Sequence, residues 1–244
     1  MTMEIKMREL KINPYPILKM LIVSIFVIIS IIFIFNSQII VAADWVMATI
    51  VHVPQFLIPF VLIYYLSKGE IKEYGFNLNE DPPEFTYKRM LMIGSIFGLF
   101  FSLRFFFQFF NAKPIEVPVP ITVVSVFGNM AFQWIVVGLC EETMFRGLIQ
   151  TYLMKNLDDQ ITLFGHDLHI GTIIGAIFWG GFHFIEILLQ PLWNVIGLVL
   201  VTTIIGLFMG YAYQRTRSLL TTIIVHNSIF GIPLTISYIL YFLS

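Results

Sequence analysis

Three groups of residues in this 244-residue chain carry side chains able to do chemistry. The first is Glu141-Glu142-Thr143-Met144-Phe145-Arg146. On a helix, Glu142 and Arg146 stand four apart on one face and can pair. Glu141 is turned by about 100° from Glu142 and points elsewhere. With its neighbour neutralised, such a carboxylate is available as a general base or acid; the competing reading is a structural ion cluster where a helix leaves a membrane. The second group is Trp179-Gly-Gly-Phe-His183, in which Trp179 lies one turn before the histidine and packs on its ring. Glu186, three residues on, shares that face and can fix the tautomer of His183. The alternative is a buried histidine bonded to a backbone carbonyl. The third group is His226-Asn227. Glutamates and histidines of this kind can activate water, stabilise an oxyanion or bind a metal. Glu141, His183 and His226 are acceptable zinc ligands, although Glu141 cannot easily be both ligand and free base. No H-E-x-x-H, G-x-S-x-G or P-loop competes with this set.

The elements that must position these residues are hydrophobic. Apolar residues make up 58% of the chain and charged residues only 12%, against about 25% charged in a soluble domain. So few ions cannot cover a soluble surface of this size, which excludes a cytosolic globular enzyme and a disordered chain. The net charge of −1 gives no basic field for nucleic acid, and the single cysteine, Cys140, excludes an internal disulfide framework. The remaining class is an all-α, polytopic membrane bundle, with the whole chain, 1–244, as one membrane domain. Its N-terminal helices occupy 1–120, a core bearing the motifs 121–230, and a last helix 231–244.

A crossing needs about 20 apolar residues. The candidate spans run over 17–35, 45–66 (interrupted by Pro54 and Pro59), 90–110, 121–152, 171–189 and 193–213. Two short helices follow, at 218–228 and 232–243, separated by a break at Gly231 and Pro233. Eight helices are expected, seven being the alternative. The polar segment 71–87 is expected at the cytosolic interface. Lys6, Arg8, Lys11, Lys19, Lys68, Lys72, Lys88, Arg89, Arg146, Lys155, Arg215 and Arg217 fall on one side; only Lys113 falls in an opposite loop, and Arg104 lies within a span. This bias makes the N-terminus cytosolic, and an even count brings the C-terminus back to the cytosol. Charge at membrane depth is costly and usually functional. The ionisable residues inside spans are His52, Arg104, Glu141, Glu142, Arg146, His183, Glu186 and His226. Small-xxx-small pairs at Gly94/Gly98, Gly171/Gly175 and Gly206/Gly210 predict close helix approach.

Taken in order, Glu141-Glu142-xxx-Arg146, the aromatic-xxx-His of Trp179 and His183, and His226 in a late helix resemble the CPBP family: the CAAX proteases and bacteriocin-processing, or Abi-type, proteins. The likeness covers roughly 121–230, with the earlier helices similar only in hydropathy. It implies an intramembrane endopeptidase whose site is a cavity open to the cytosol. Glu141 would activate water, His183 assist the water or metal chemistry, His226 stabilise the oxyanion or leaving group, and Glu142 and Arg146 hold the geometry. These residues leave both a zinc-assisted and a metal-free route open. Two positions depart from the family pattern. Trp179 stands where Phe is usual, and Phe230 stands where the third motif, His-xxx-Asn or Asp, has its last residue. Asn227, about 100° round the helix from His226, is the available substitute donor. The implied substrate is a peptide or small protein tail, with the bilayer as the other partner. The competing functions are a non-catalytic immunity or scaffold protein of the same fold and a small transporter with a glutamate–histidine proton path. Cys140 is expected to pack, since a thiol in apolar surroundings is poorly reactive, and His166 and His169 beside Asp167 are expected in a solvated loop.

Overall fold

A computed structural model of the chain describes residues 12–36, 44–118, 120–163 and 165–244. Three of the basic residues used for orientation, Lys6, Arg8 and Lys11, lie outside the described residues. Seven helices among the described residues are long and apolar enough to cross a membrane. They begin with α1 (Pro14–Asn36), α2 (Asp44–Leu66) and α3 (Tyr87–Phe110). The fourth crossing is a composite of α4 (Val123–Ala131), a π-helical turn (Phe132–Val136), α5 (Val137–Glu142), a second π segment (Thr143–Gln150) and α6 (Thr151–Asn156). A two-stranded antiparallel hairpin, β1 (Gln160–Leu163) and β2 (His166–His169), leads into α7 (Ile170–Phe182). The α7 crossing ends in a 3-10 stretch, His183–Leu188. The last two crossings are α8 (Leu192–Thr216) and α9 (Leu219–Leu243).

Seven crossings replace the expected eight because α9 runs unbroken through Gly231 and Pro233. A proline in a helix lacks one N–H, but in a membrane the neighbouring helices re-satisfy the freed groups and the helix continues. Here the missing side chain of Gly231 admits the indole of Trp134, onto which a Cβ would fall. The expectation of two cytosolic termini rested on an even count; seven helices among the described residues are long and apolar enough to cross. α2 likewise stays helical through Pro54 and Pro59. The loop of His166, Asp167 and His169 is the strand of a hairpin, so the fold is helical with one small β element.

The small-residue pairs mark the close approaches. Gly94 and Gly98 of α3 lie against Val225, Ser228 and Ile232 of α9, and Gly206 and Gly210 of α8 lie against Trp179, Ala176 and Thr172 of α7. Such contacts supply the van der Waals packing that holds helices together where lipid removes the hydrophobic drive. The segment 71–87 makes two 3-10 turns, Ile71–Tyr74 and Pro83–Phe85, and caps the turn between α8 and α9. Asn77 Nδ2 donates to the Arg217 carbonyl at 2.7 Å and Asn79 Nδ2 to the Thr216 carbonyl at 2.9 Å. These are carbonyls that the end of α8 leaves without helical donors. The packed core gathers around Met144, Phe145, Leu148, Trp179, Met209, Val225 and Ile229, directly beside the residues singled out above.

Candidate active site

Glu141 and Glu142 close the six-residue helix α5, flanked by π-helical stretches on both sides. π segments are rare and concentrate at functional sites. The first has a visible cause. Asn227 Oδ1 accepts from the Gly138 N–H at 3.1 Å, and Asn227 Nδ2 donates to the Trp134 carbonyl at 2.8 Å. A regular α-helix would join that donor and acceptor to each other; the carboxamide sits between them instead. Gly138 makes room for it, since an added Cβ would land on Asn227 Oδ1. Asn227 thus braces the helix that carries the glutamates.

The two glutamates face different surroundings. Glu142 is 0% exposed. Its Oε1 accepts from Arg146 Nη1 at 3.1 Å and from His226 Nδ1 at 2.9 Å; its Oε2 has no hydrogen-bond partner among the described residues. Arg146, itself 2% exposed, also reaches the Gly206 carbonyl at 3.4 Å and lays its guanidinium over the Trp179 ring at 4.6 Å. A charge at this depth persists only when paired and hydrogen-bonded, and Glu142, Arg146 and His226 answer one another. Glu141 keeps 13% of its side chain exposed. Its Oε2 accepts from the Trp179 indole N–H at 2.7 Å. Its Oε1 lies 3.7 Å from His52 Nε2, and Oε2 lies 3.9 Å from His226 Nε2.

Trp179 is therefore more than a packing partner of His183. Fully buried, it bonds Glu141, stacks on Arg146, and lies 5.6 Å from the rings of both His183 and His226. The sequence marked the ring but not its N–H, which the usual Phe would lack. His183 stands at the junction where α7 tightens into the 3-10 stretch, not inside a continuous α-helix. Its Nδ1 donates to the Trp179 carbonyl at 2.9 Å, the backbone alternative considered above. Glu186 bonds Gln190 at 3.2 Å. The ring of His183 lies within electrostatic range of Glu141. The Phe230 ring lies 5.2 Å from that of His226, at the position where the family pattern has Asn or Asp. Cys140 is buried and free. His52, by sequence no more than an ionisable residue within a span, comes from α2 to stand beside Glu141.

Residues 123–230 match the family model of the type II CAAX prenyl endopeptidases, Rce1-like. The likeness read from the motifs holds over that stretch, which contains every residue of the site except His52. No curated protein and no solved structure matches the chain.

The donor types suit a zinc ion, but their arrangement does not. Among the described residues no three His, Cys, Asp or Glu side chains gather as a metal-holding group. Glu141 is approached by one imidazole on each oxygen, with Oε2 already taken by the indole.

Proposed function

We propose that the chain is an intramembrane endopeptidase that cleaves a peptide or protein tail at the cytosolic side by glutamate-activated water. The observation that carries this is the pairing of unlike neighbours: a sealed Glu142, held through Oε1 by Arg146 and His226, beside a Glu141 with one oxygen held by the indole and the other without a direct hydrogen bond. A base needs a fixed orientation and a free oxygen near reachable water. Glu141 has both, with the imidazoles of His52 and His226 one on each oxygen.

In the step we assign, a water gives one proton to Glu141 Oε1 as its oxygen attacks the scissile carbonyl carbon, and the carbonyl π pair moves onto oxygen. His226, held by Glu142 through Nδ1, presents Nε2 toward the site, where in its protonated form it donates to that oxyanion. When the intermediate collapses the C–N bond breaks, and Glu141 passes its proton to the leaving amine. His183 packs edge-on against Trp179, whose indole holds Glu141. The basic-residue bias places 71–87 and the hairpin on the cytosolic side. With seven crossings this puts the N-terminal end in the cytosol and the C-terminal end of α9 outside.

The test is cleavage of internally quenched reporter peptides with and without a prenylated C-terminal tail, by the full chain in liposomes. Wild-type protein should cleave at least one class and Glu141→Gln none, with both proteins folded. If wild type and Glu141→Gln are equally inert on both, the scaffold reading replaces this one. One equivalent of zinc per purified chain, lost together with activity on chelation, would replace the metal-free route.

A further inference from the structure

His52 lies outside the three motifs and outside the matched stretch, yet it is the closest imidazole to Glu141. It comes from α2, 89 residues earlier in the chain. Its Nδ1 lies 2.7 Å from the Ala48 carbonyl. A carbonyl only accepts, so Nδ1 carries the hydrogen and the neutral ring presents a lone pair at Nε2. Its ring is held edge-on to Phe132 at 5.1 Å, at the start of the first π segment. Helix geometry and the aromatic neighbour together aim Nε2 at Glu141.

The distance decides what that aim can do. Nε2 and Oε1 are 3.7 Å apart, beyond a direct hydrogen bond of about 2.7–3.2 Å. Two acceptors facing each other across such a gap need a hydrogen-bearing group between them, and one water at ordinary distance from both fits. Two further facts choose this gap over the one beside His226. Oε2 is already bonded to the Trp179 indole, whereas Oε1 is not. His226 is 2% exposed, whereas His52 keeps 20% of its side chain accessible. Glu141 keeps 13% of its side chain accessible, and of its two imidazole neighbours His52 is the more open.

We infer that His52 holds the attacking water, accepting one of its hydrogens at Nε2 while Glu141 Oε1 takes the other. The inference rests on the protease reading above and adds a residue to it. No proton is transferred to His52. The O–H bond that breaks is the one to Glu141, and the hydrogen bond to His52 fixes the direction in which the water's remaining lone pair points. The imidazole touches a reacting atom and so counts as catalytic. A water held from one side only samples many orientations, and misplacement of this order costs about a hundredfold in rate.

The experiment has two arms. The first compares wild type, His52→Phe and His52→Gln on whichever reporter peptide wild type cleaves. His52→Phe keeps a ring against Phe132 and should lower kcat by about ten- to a hundredfold with KM and melting temperature near wild type. His52→Gln, whose amide oxygen can accept from the water, should recover part of the loss. A kcat for His52→Phe equal to wild type overturns the inference, as does a loss that appears only as lowered melting temperature. The second arm needs no activity. A high-resolution experimental structure of wild type should show an ordered water bonded to both Glu141 Oε1 and His52 Nε2, absent in His52→Phe. A bridging water in a protein that cleaves nothing would keep the water site and sink the protease reading; an empty gap in wild type would sink the water site alone.

Discussion

The two faces of α5 were built to opposite specifications from adjacent residues. On one, Glu142 is sealed, doubly bonded by Arg146 and His226, and backed by the Asn227 brace. On the other, Glu141 has a single strong bond, from Trp179, and an oxygen within reach of solvent. The sealed face fixes position at the expense of reactivity; the open face is reactive because its neighbour has already been fixed. One carboxylate could not serve both ends, which gives a physical reason for the doubled glutamate.

The sharpest way to break that contrast is to exchange the consequences. Glu141→Gln keeps the shape and removes the base, so cleavage of the reporter peptide should fall below detection while expression and melting temperature hold. Glu142→Ala should do more damage to the fold. It leaves Arg146 buried without its partner, a loss of about 3–5 kcal/mol, visible in melting temperature and yield before any assay. If the two variants gave the same profile, the division between base and brace would be wrong.

Smaller changes sharpen the comparison. Trp179→Phe keeps the ring between Arg146 and the histidines but withdraws the hydrogen bond to Glu141. A bond to a charged group contributes about 1.5–3 kcal/mol, so kcat should drop by at least tenfold with little change in stability. Gly138→Ala forces a methyl group onto Asn227 and should cost about 1–3 kcal/mol in thermal unfolding, with activity lowered in step. Cys140→Ala, one residue before the base, should cleave at close to the wild-type rate, because the buried thiol has no part in the chemistry. Loss of cleavage in that variant alone would turn attention to a cysteine mechanism.

What the sequence revealed and concealed follows the range of the interactions. The Glu142–Arg146 relation is a property of four consecutive peptide units and could be read directly. The membrane class followed from charge scarcity, and the close approaches from glycine spacing. The partners of Glu141 come from α2 and α7, and no spacing rule connects His52 to a residue 89 positions away. The π segments were equally hidden, because Asn227 creates one of them from another helix. Gly231 and Pro233 gave a break signal that holds in water; against Trp134, within a bundle, the same residues permit an unbroken α9. The N–H of Trp179 is hidden in the sequence for a different reason: the ring alone already explains its place beside His183.

His226 and Asn227 are consecutive, yet they engage the fourth crossing at two separate points, Glu142 and the Trp134–Gly138 step. Two pins on one dipeptide block sliding and rolling alike, so α9 and α5 form a single jaw with no internal play. The facing wall is tied unevenly: α7 grips Glu141 through the Trp179 indole at 2.7 Å, whereas α2 approaches it only at 3.7 Å through His52. Of the helices around the base, α2 therefore has the loosest hold on it, and widening the approach to Glu141 is best begun there.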